Sequence, residues 1–176
     1  MKLVLTCEHA GNKIPGKYLS LFEANLDVLH THRGFDPGAF DLFKKLSPLA
    51  DFKATHLESR LLIEVNRSLH HSSLFSSFTG KLPYSEKNIL IEEYYIPYRK
   101  RVEDAIDRYV TQGEEVLHFS VHSFTPRLDG ITRNADIGLL YDPARPGEKH
   151  FCEVFKKNLK ILNPELKVRV NYPYLG

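Results

Sequence analysis

The sequence predicts an α/β fold in which helices cover a mostly parallel β-sheet. Short apolar runs typical of buried strands alternate along the chain with longer segments of helical periodicity. The length of 176 residues suits one domain, and neither a linker nor an internal repeat divides the chain. We therefore expect a single domain over residues 1–176.

Strands are expected where short apolar runs end in polar or small residues. The expected strands are 2–6, 52–57, 60–66, 115–121, 136–141 and 167–171. Within 60–66, strand alternation would place Glu64 and Asn66 on one side of the strand, with Arg67 just past its end. An apolar strand rarely carries a glutamate that is neither paired nor functional.

Helices are expected at 19–30, 37–46, 88–112 and 146–161. In the first of these, apolar side chains recur at helical spacing. Pro37 suits the first turn of the second helix, and Pro97 predicts a kink or break inside the third. The Ser-rich segment 68–88 has no periodicity, so we expect a long loop there, which in a compact domain is often functional.

Composition excludes several classes of protein. The 24 Lys and Arg residues against 22 Asp and Glu give a net charge of +2, too small for a strongly basic nucleic-acid-binding protein. No apolar run approaches the roughly 18–20 residues of a membrane helix. The apolar N-terminal run meets Glu8 and His9 where a signal peptide would continue, so we expect a cytoplasmic protein. Two cysteines without a CxxC motif indicate neither a disulfide framework nor a structural zinc site.

Two histidines and nearby carboxylates predict a metal site. His9 and His122 each follow an apolar strand, and the carboxyl ends of parallel strands meet at one edge of a sheet. Imidazole is the commonest metal ligand, and a catalytic zinc uses about three protein ligands and one open position. The third ligand could be Asp36, Glu8 or Glu64. The alternative is that each histidine only forms a hydrogen bond with a loop.

The segment ESRLLIEVNRS suggests a site for an anion. Asn66 and Arg67 at a strand end could clamp a carboxylate, because a guanidinium presents a planar fork to two oxygens. The alternative is a structural ion pair of Glu64 with Arg60 or Arg67. Arg133 could also reach an anion, although loop arginines are more often solvated.

Other chemically capable residues are expected to pack. Cys7 is expected to be a core residue, because a catalytic cysteine needs a partner base aimed at it, usually from another element. Tyr94, Tyr95 and Tyr98 recur at helical spacing and are expected to fill the core. The remaining histidines, His56 and His118 among them, have no special claim to a function.

Seven segments, taken in order, resemble the N-formylglutamate amidohydrolase family: CEHAGNKIP, HRGFDPGA, SRLLIEVNRS, YYIPYR, VHSFTP, DIGLLYDP and NYPYLG. The set extends from residue 7 to residue 176. The resemblance implies a three-layer α/β/α sandwich of the phosphorylase/hydrolase-like kind found in zinc exopeptidases. It also implies a zinc-dependent hydrolase that removes a formyl or similar acyl group from an acidic amino acid, with N-formyl-L-glutamate as the first choice of substrate. EVNR further resembles a segment of aspartoacylase-like and succinylglutamate-desuccinylase-like enzymes.

The resemblance assigns the metal ligands by position. His9 and His122 would be zinc ligands, and Asp36 is the choice for the third. In the related acylases a ligating Glu follows the first His by three residues, and here that place is Asn12. Glu8 is therefore the reserve third ligand.

The resemblance also implies the substrate-binding residues. Asn66 and Arg67 would bind the α-carboxylate, and Arg133 or Arg60 the side-chain carboxylate. Glu64 stands where the relatives have Asp and would orient a His or the Arg.

Members of the family continue past the NxPYxG segment to a late strand that carries a Glu resembling the general base of zinc peptidases. The chain ends at Gly176, so we expect it to lack that segment, with Glu8 substituting as the base. Two alternatives stay open: an amidase acting on another acyl-amino acid or short peptide, and a non-catalytic module that binds acidic amino acids. The sequence does not indicate an oligomeric state.

Overall fold

The computed structural model describes residues 1–128 and 130–174. Two compact units are present, Met1–Ser123 and the residues from Phe124 onward. The expectation of a single domain over 1–176 stays a prediction. The last two residues of the NYPYLG segment lie outside the described residues.

The first unit contains a three-stranded parallel sheet in the order β2-β1-β3. Thr6 lies opposite Ala54 on one side and Ser120 on the other, and all three strands run in the same direction. Their carboxyl ends therefore meet at one edge, as the sequence predicted. The strands are β1 (Lys2–Cys7), β2 (Phe52–Thr55) and β3 (Val116–Ser120).

Helices cover both faces of this sheet, which confirms the predicted α/β fold. Successive side chains of a strand point to opposite faces. Val4 packs in one core cluster with residues of the third helix, whereas Leu5 and Cys7 pack in another with residues of the first. The helices of this unit are α1 (Ala39–Leu46), α2 (Tyr84–Leu90) and α3 (Ile96–Thr111), and a π-helical turn at Ile91–Tyr95 joins the last two.

The predicted helix at 19–30 is wrong in type. The segment forms two 3₁₀ stretches, Gly16–Leu21 and Glu23–His30, and Asn25 inside the second has non-helical dihedral angles. Phe22, Val28 and Leu29 pack in a small cluster of their own with Leu61. That compact packing replaces the single long apolar face that an α-helix would need.

The predicted strand at 60–66 is also wrong. This segment is a series of turns, and its backbone amides bond to loops: Arg60 N donates to Gly34 O (3.2 Å) and Glu64 N to Leu74 O (2.9 Å). Leu62 and Ile63 are fully buried. A short apolar run indicates burial but does not by itself distinguish a strand from a buried coil.

The second unit contains a βαβ element and a hairpin. Its βαβ element agrees with the predictions for 136–141, 146–161 and 167–171, whereas the hairpin falls in a segment predicted as loop. Among the described residues, no helix is both long and apolar enough to cross a membrane. The elements are the antiparallel β4 (Arg127–Leu128) and β5 (Ile131–Thr132), then β6 (Ile137–Leu139), α4 (Pro146–Leu162) and β7 (Val168–Val170), with β6 parallel to β7.

Replacing Leu62 with Ala should lower the free energy of unfolding by about 2–5 kcal/mol, because the substitution leaves a cavity in the core. The matched control is Leu49→Ala, at a side chain that is 70% exposed, which should change it by at most about 0.5 kcal/mol. Urea unfolding of both variants measures the difference. Equal effects would show that the segment 60–66 is not a core element.

Candidate metal centre

His9 and His122 come together because β1 and β3 are neighbours. Thr6 lies opposite Ser120, and Val121 N donates to Thr6 O (2.8 Å), which continues the pairing to the ends of both strands. The two imidazole rings lie 4.9 Å apart, centre to centre. The separation is short enough for both rings to bind one ion.

Asp36 places its carboxylate between the two rings. Its Oδ2 lies 2.9 Å from His122 Nδ1 and 3.4 Å from His9 Nδ1, and it also accepts a hydrogen bond from Ser123 N (3.1 Å). The loop is held in place by Asp36 N, which donates to His9 O (3.0 Å). One ligand atom from each of the three residues lies within 4.8 Å of the others. Two ligands of a tetrahedral zinc are about 3.4 Å apart, so the three residues need little movement to bind one ion.

The hydrogen bonding of His9 fits a metal ligand. Its Nε2 donates to Glu64 Oε1 (2.6 Å), whereas its buried Nδ1 makes no hydrogen bond with any described residue. A buried polar atom without a partner is costly, and a cation beside Asp36 would satisfy it. Metal-binding histidines usually donate their other ring N–H to a carboxylate, as His9 does.

His122 has a similar arrangement with a different carboxylate. Its Nε2 lies 2.9 Å from Ser120 Oγ and 3.3 Å from Glu8 Oε2. Glu8 is itself held by Ser120 Oγ, which donates to Oε2, and by the Tyr98 hydroxyl, which donates to Oε1 (2.7 Å). Each imidazole therefore has its own carboxylate, Glu64 for His9 and Glu8 for His122.

The buried carboxylates are kept ionised by their partners. Burial alone would raise the pKa of Asp36, but the hydrogen bond from His122 and the charges of His9 and His122 hold it well below its usual range. Burial likewise opposes ionisation of Glu8 and Glu64, but His122 and Ser120 lower the pKa of Glu8, and His9 and Arg60 lower that of Glu64 to about 2.

The same contacts act on the imidazoles. Burial would lower the pKa of His122, but hydrogen bonds to Asp36 and Glu8 raise it to about 9. When both imidazoles are neutral, the three carboxylates and the Arg60 guanidinium leave two negative charges. A divalent cation bound in place of the imidazole protons would compensate that charge.

Arg60 is an ion-pair partner of this centre. Its Nη2 lies 2.6 Å from Glu64 Oε2, and its Nη1 lies 3.7 Å from Asp36 Oδ1. The ion pair of Glu64 with Arg60, left open by the sequence, is present. A substrate-binding role for Arg60 stays a prediction.

Asn66 and Arg67 follow Glu64 at the surface beside the centre. Asn66 N donates to Glu64 Oε1 (3.0 Å), and Asn66 Nδ2 lies 3.4 Å from His122 Nε2. Arg67 is exposed, and no acidic side chain within residues 1–128 and 130–174 forms a salt bridge with it. Its carbonyl accepts a hydrogen bond from the Tyr95 hydroxyl (2.7 Å).

Arg133 belongs to the second unit. Its Nη1 donates to Thr125 O (3.3 Å), and its guanidinium lies 4.9 Å from the centre of the Tyr174 ring. Its predicted role in binding a substrate carboxylate stays a prediction.

Sequence reasoning missed two residues of the centre, Ser120 and Tyr98. Tyr98 does pack in the core, as expected, but its hydroxyl also holds Glu8. Because a buried tyrosine hydroxyl usually forms a hydrogen bond, the burial expected for Tyr98 could have indicated a polar partner. Cys7 is a core residue, and burial raises the pKa of its thiol to about 12.

Glu64→Gln should weaken zinc binding by about 10- to 100-fold, because the carboxylate that receives the His9 N–H is lost. Competition with a chromophoric chelator measures the affinity. The control is Glu103→Gln, an exposed position on α3, which should leave the affinity unchanged. Identical zinc affinities for the two variants would show that Glu64 does not support a metal ligand.

The chain is similar in sequence and in fold to known proteins. One similar solved structure is gene product Atu2144 from Agrobacterium tumefaciens, with 28% sequence identity and a TM-score of 0.82 over 98% of this chain and 69% of that chain. None of the curated proteins compared with the chain matches it. The family model described as N-formylglutamate amidohydrolase matches residues 1–176, and the chain therefore belongs to this family of amide hydrolases.

Proposed function

We propose that the protein is a zinc-dependent hydrolase that converts N-formyl-L-glutamate to formate and L-glutamate. The convergence of His9, Asp36 and His122, with a buried ring nitrogen left without a partner, carries the proposal. Membership of the N-formylglutamate amidohydrolase family supports the substrate class.

The protein supplies the side chains that would bind the metal and holds them in place. A zinc ion, when bound, supplies a Lewis acid that lowers the pKa of water and polarises the amide carbonyl. His9, His122 and Asp36 would hold it. Glu64 accepts a hydrogen bond from Nε2 of His9, and Glu8 lies close to Nε2 of His122. The Nδ1 atoms of both histidines therefore face Asp36.

Substrate binding is assigned to the segment that follows Glu64. Asn66 Nδ2 lies 3.4 Å from His122 Nε2, which supports a clamp beside the proposed metal centre. The Arg67 guanidinium is exposed and has no salt bridge among the described residues, so it is free to pair with the α-carboxylate of a substrate. We assign the side-chain carboxylate to Arg133 or Arg60, as the family resemblance implies.

We propose that Glu8 orients His122 for the reaction. Both of its oxygens accept hydrogen bonds, one from Tyr98 and one from Ser120, which supports an orienting role. Transfer of a proton by Glu8 stays a prediction. A cytoplasmic location and the absence of nucleic-acid and membrane partners stay predictions as well.

The purified protein should release formate from N-formyl-L-glutamate. A chelator should abolish the activity and added zinc should restore it, because zinc supplies the Lewis acid of the proposed reaction. Formate is measured with a coupled dehydrogenase assay. The hydrolase proposal fails if the protein holds less than about one tenth of an equivalent of metal and added metal produces no turnover.

Arg67→Ala should lower kcat/KM for N-formyl-L-glutamate by about 10- to 100-fold, mainly through KM, because a charged hydrogen-bond donor to the substrate is lost. The control is Arg108→Ala, at an exposed position on α3. A neutral acyl amide should be a poor substrate for the wild type. Unchanged KM in Arg67→Ala would exclude the clamp.

A substrate panel and calorimetry decide between the remaining functions. Faster hydrolysis of another acyl-amino acid or a short peptide would replace N-formyl-L-glutamate as the substrate. Binding of L-glutamate without hydrolysis of any acyl derivative would instead identify a binding module.

A further inference from the structure

The π-helical turn at Ile91–Tyr95 has a local cause in the sequence. Ile96 N donates to Ile91 O, five residues earlier, as in a π-helix. Pro97 follows, and it has no N–H to donate, while its ring would clash with the carbonyl of residue 93 in a regular α-helix. A wider turn before Pro97 avoids this clash without ending the helical segment.

This turn also changes which side chains face the core. From Tyr95 onward the buried positions recur at steps of three and four, whereas the step from Leu90 to Tyr95 is five. In an α-helix a step of five residues rotates a side chain by about 140°. The π turn brings Tyr95 back onto the face of Leu90, so that both are buried. The buried positions are Leu90, Tyr95, Tyr98, Val102, Ala105 and Tyr109.

Two tyrosines on this face reach two different parts of the site. Residues three apart on a helix are neighbours on its surface. The Tyr95 hydroxyl donates to the carbonyl of Arg67 (2.7 Å), and the Tyr98 hydroxyl donates to Glu8 Oε1 (2.7 Å). Both rings are buried, so each hydroxyl is delivered by a side chain that packing holds in place.

The contact of Tyr95 matters because Arg67 lies in a coil. No strand pairing holds the backbone there, and Arg67 N donates to Glu64 O at 3.3 Å, a long bond. The hydroxyl of Tyr95 therefore ties the backbone of the proposed clamp to a helix.

The contact of Tyr98 matters because Glu8 faces His122 through its other oxygen. With Oε1 bound to Tyr98, Glu8 Oε2 stays directed at Ser120 and at His122 Nε2 (3.3 Å). Without the hydroxyl, the buried Oε1 loses the hydrogen bond from Tyr98, which is one of the contacts that orient the carboxylate.

We propose that Tyr95 and Tyr98 are positioning residues with separate tasks, Tyr95 for the substrate clamp at Arg67 and Tyr98 for the carboxylate beside His122. This inference rests on the proposed function, because it assumes that Arg67 binds a carboxylate and that His122 binds a metal. Neither tyrosine touches the reacting atoms. The π turn aligns the helical face that carries both tyrosines with Leu90, so that both rings are buried.

The test compares Tyr95→Phe and Tyr98→Phe with Tyr109→Phe. Tyr109 lies on the same helix, is also buried, and also donates its hydroxyl to a backbone carbonyl, that of Asp51 (3.3 Å), so it controls for loss of a buried phenol. The measurements on the 176-residue chain are the Kd for L-glutamate at saturating zinc by calorimetry, the Kd for zinc by chelator competition, KM and kcat from formate release, and the melting temperature.

Tyr95→Phe should weaken L-glutamate binding and raise KM by about 3- to 10-fold while zinc affinity changes less than about twofold. Tyr98→Phe should weaken zinc binding by about 3- to 10-fold and lower kcat at limiting zinc, with L-glutamate affinity at saturating zinc changing less than about twofold. Tyr109→Phe should leave both affinities unchanged. The inference would be overturned if all three variants had the same affinities for zinc and for L-glutamate. It would also be overturned if the loss of affinity in each variant were proportional to its loss of melting temperature.

The same measurements separate this inference from the proposed function. A wild-type protein that binds zinc and L-glutamate but releases no formate would overturn the hydrolysis alone, and the two affinities would still decide the roles of the tyrosines. A wild-type protein that binds neither would overturn both.

Discussion

The parallel pairing of β1 with β3 is the constraint on which the site depends. Thr6 and Ser120 lie opposite each other, so the two strands end side by side. The rings of His9 and His122, which follow these strand ends, lie 4.9 Å apart. A one-residue slip in this register would turn each side chain to the other face of the sheet. Asp36, Glu8 and Glu64 contact these two rings.

Buried charge is the second feature of the centre, and its neutralisation links distant parts of the chain. Asp36 comes from the loop before α1, Glu8 from the end of β1, and Glu64 from a coil, and each has hydrogen-bond donors from other elements. Arg60 contacts two of these carboxylates. Charges buried without such partners would be too costly to keep, so the packing of the loops and the chemistry of the site cannot be separated.

The coil at 59–67 connects the metal centre to the proposed substrate clamp, and loops rather than strands hold it. Ser59 Oγ donates to Gly34 O (2.8 Å), and Glu64 N donates to Leu74 O (2.9 Å). The Ser-rich segment, which has no sequence period, therefore serves as a packing partner for this coil. Tyr95 adds a contact from the helical layer at Arg67. The site is thus built on a rigid sheet edge and completed by irregular backbone that side chains fix.

The sequence by itself determined the alternation of strands and helices, and with it the edge at which His9 and His122 meet, because hydrophobic periodicity is a local property. It also indicated Asp36, Glu64, Asn66 and Arg67 as residues with suitable chemistry. Only the tertiary structure decided that 60–66 is a coil, that Glu64 pairs with Arg60 and His9, and that Tyr98 holds Glu8. Those outcomes depend on contacts between residues far apart in the chain, such as Glu8 and Tyr98, and no local pattern encodes which distant partner a buried polar atom will find.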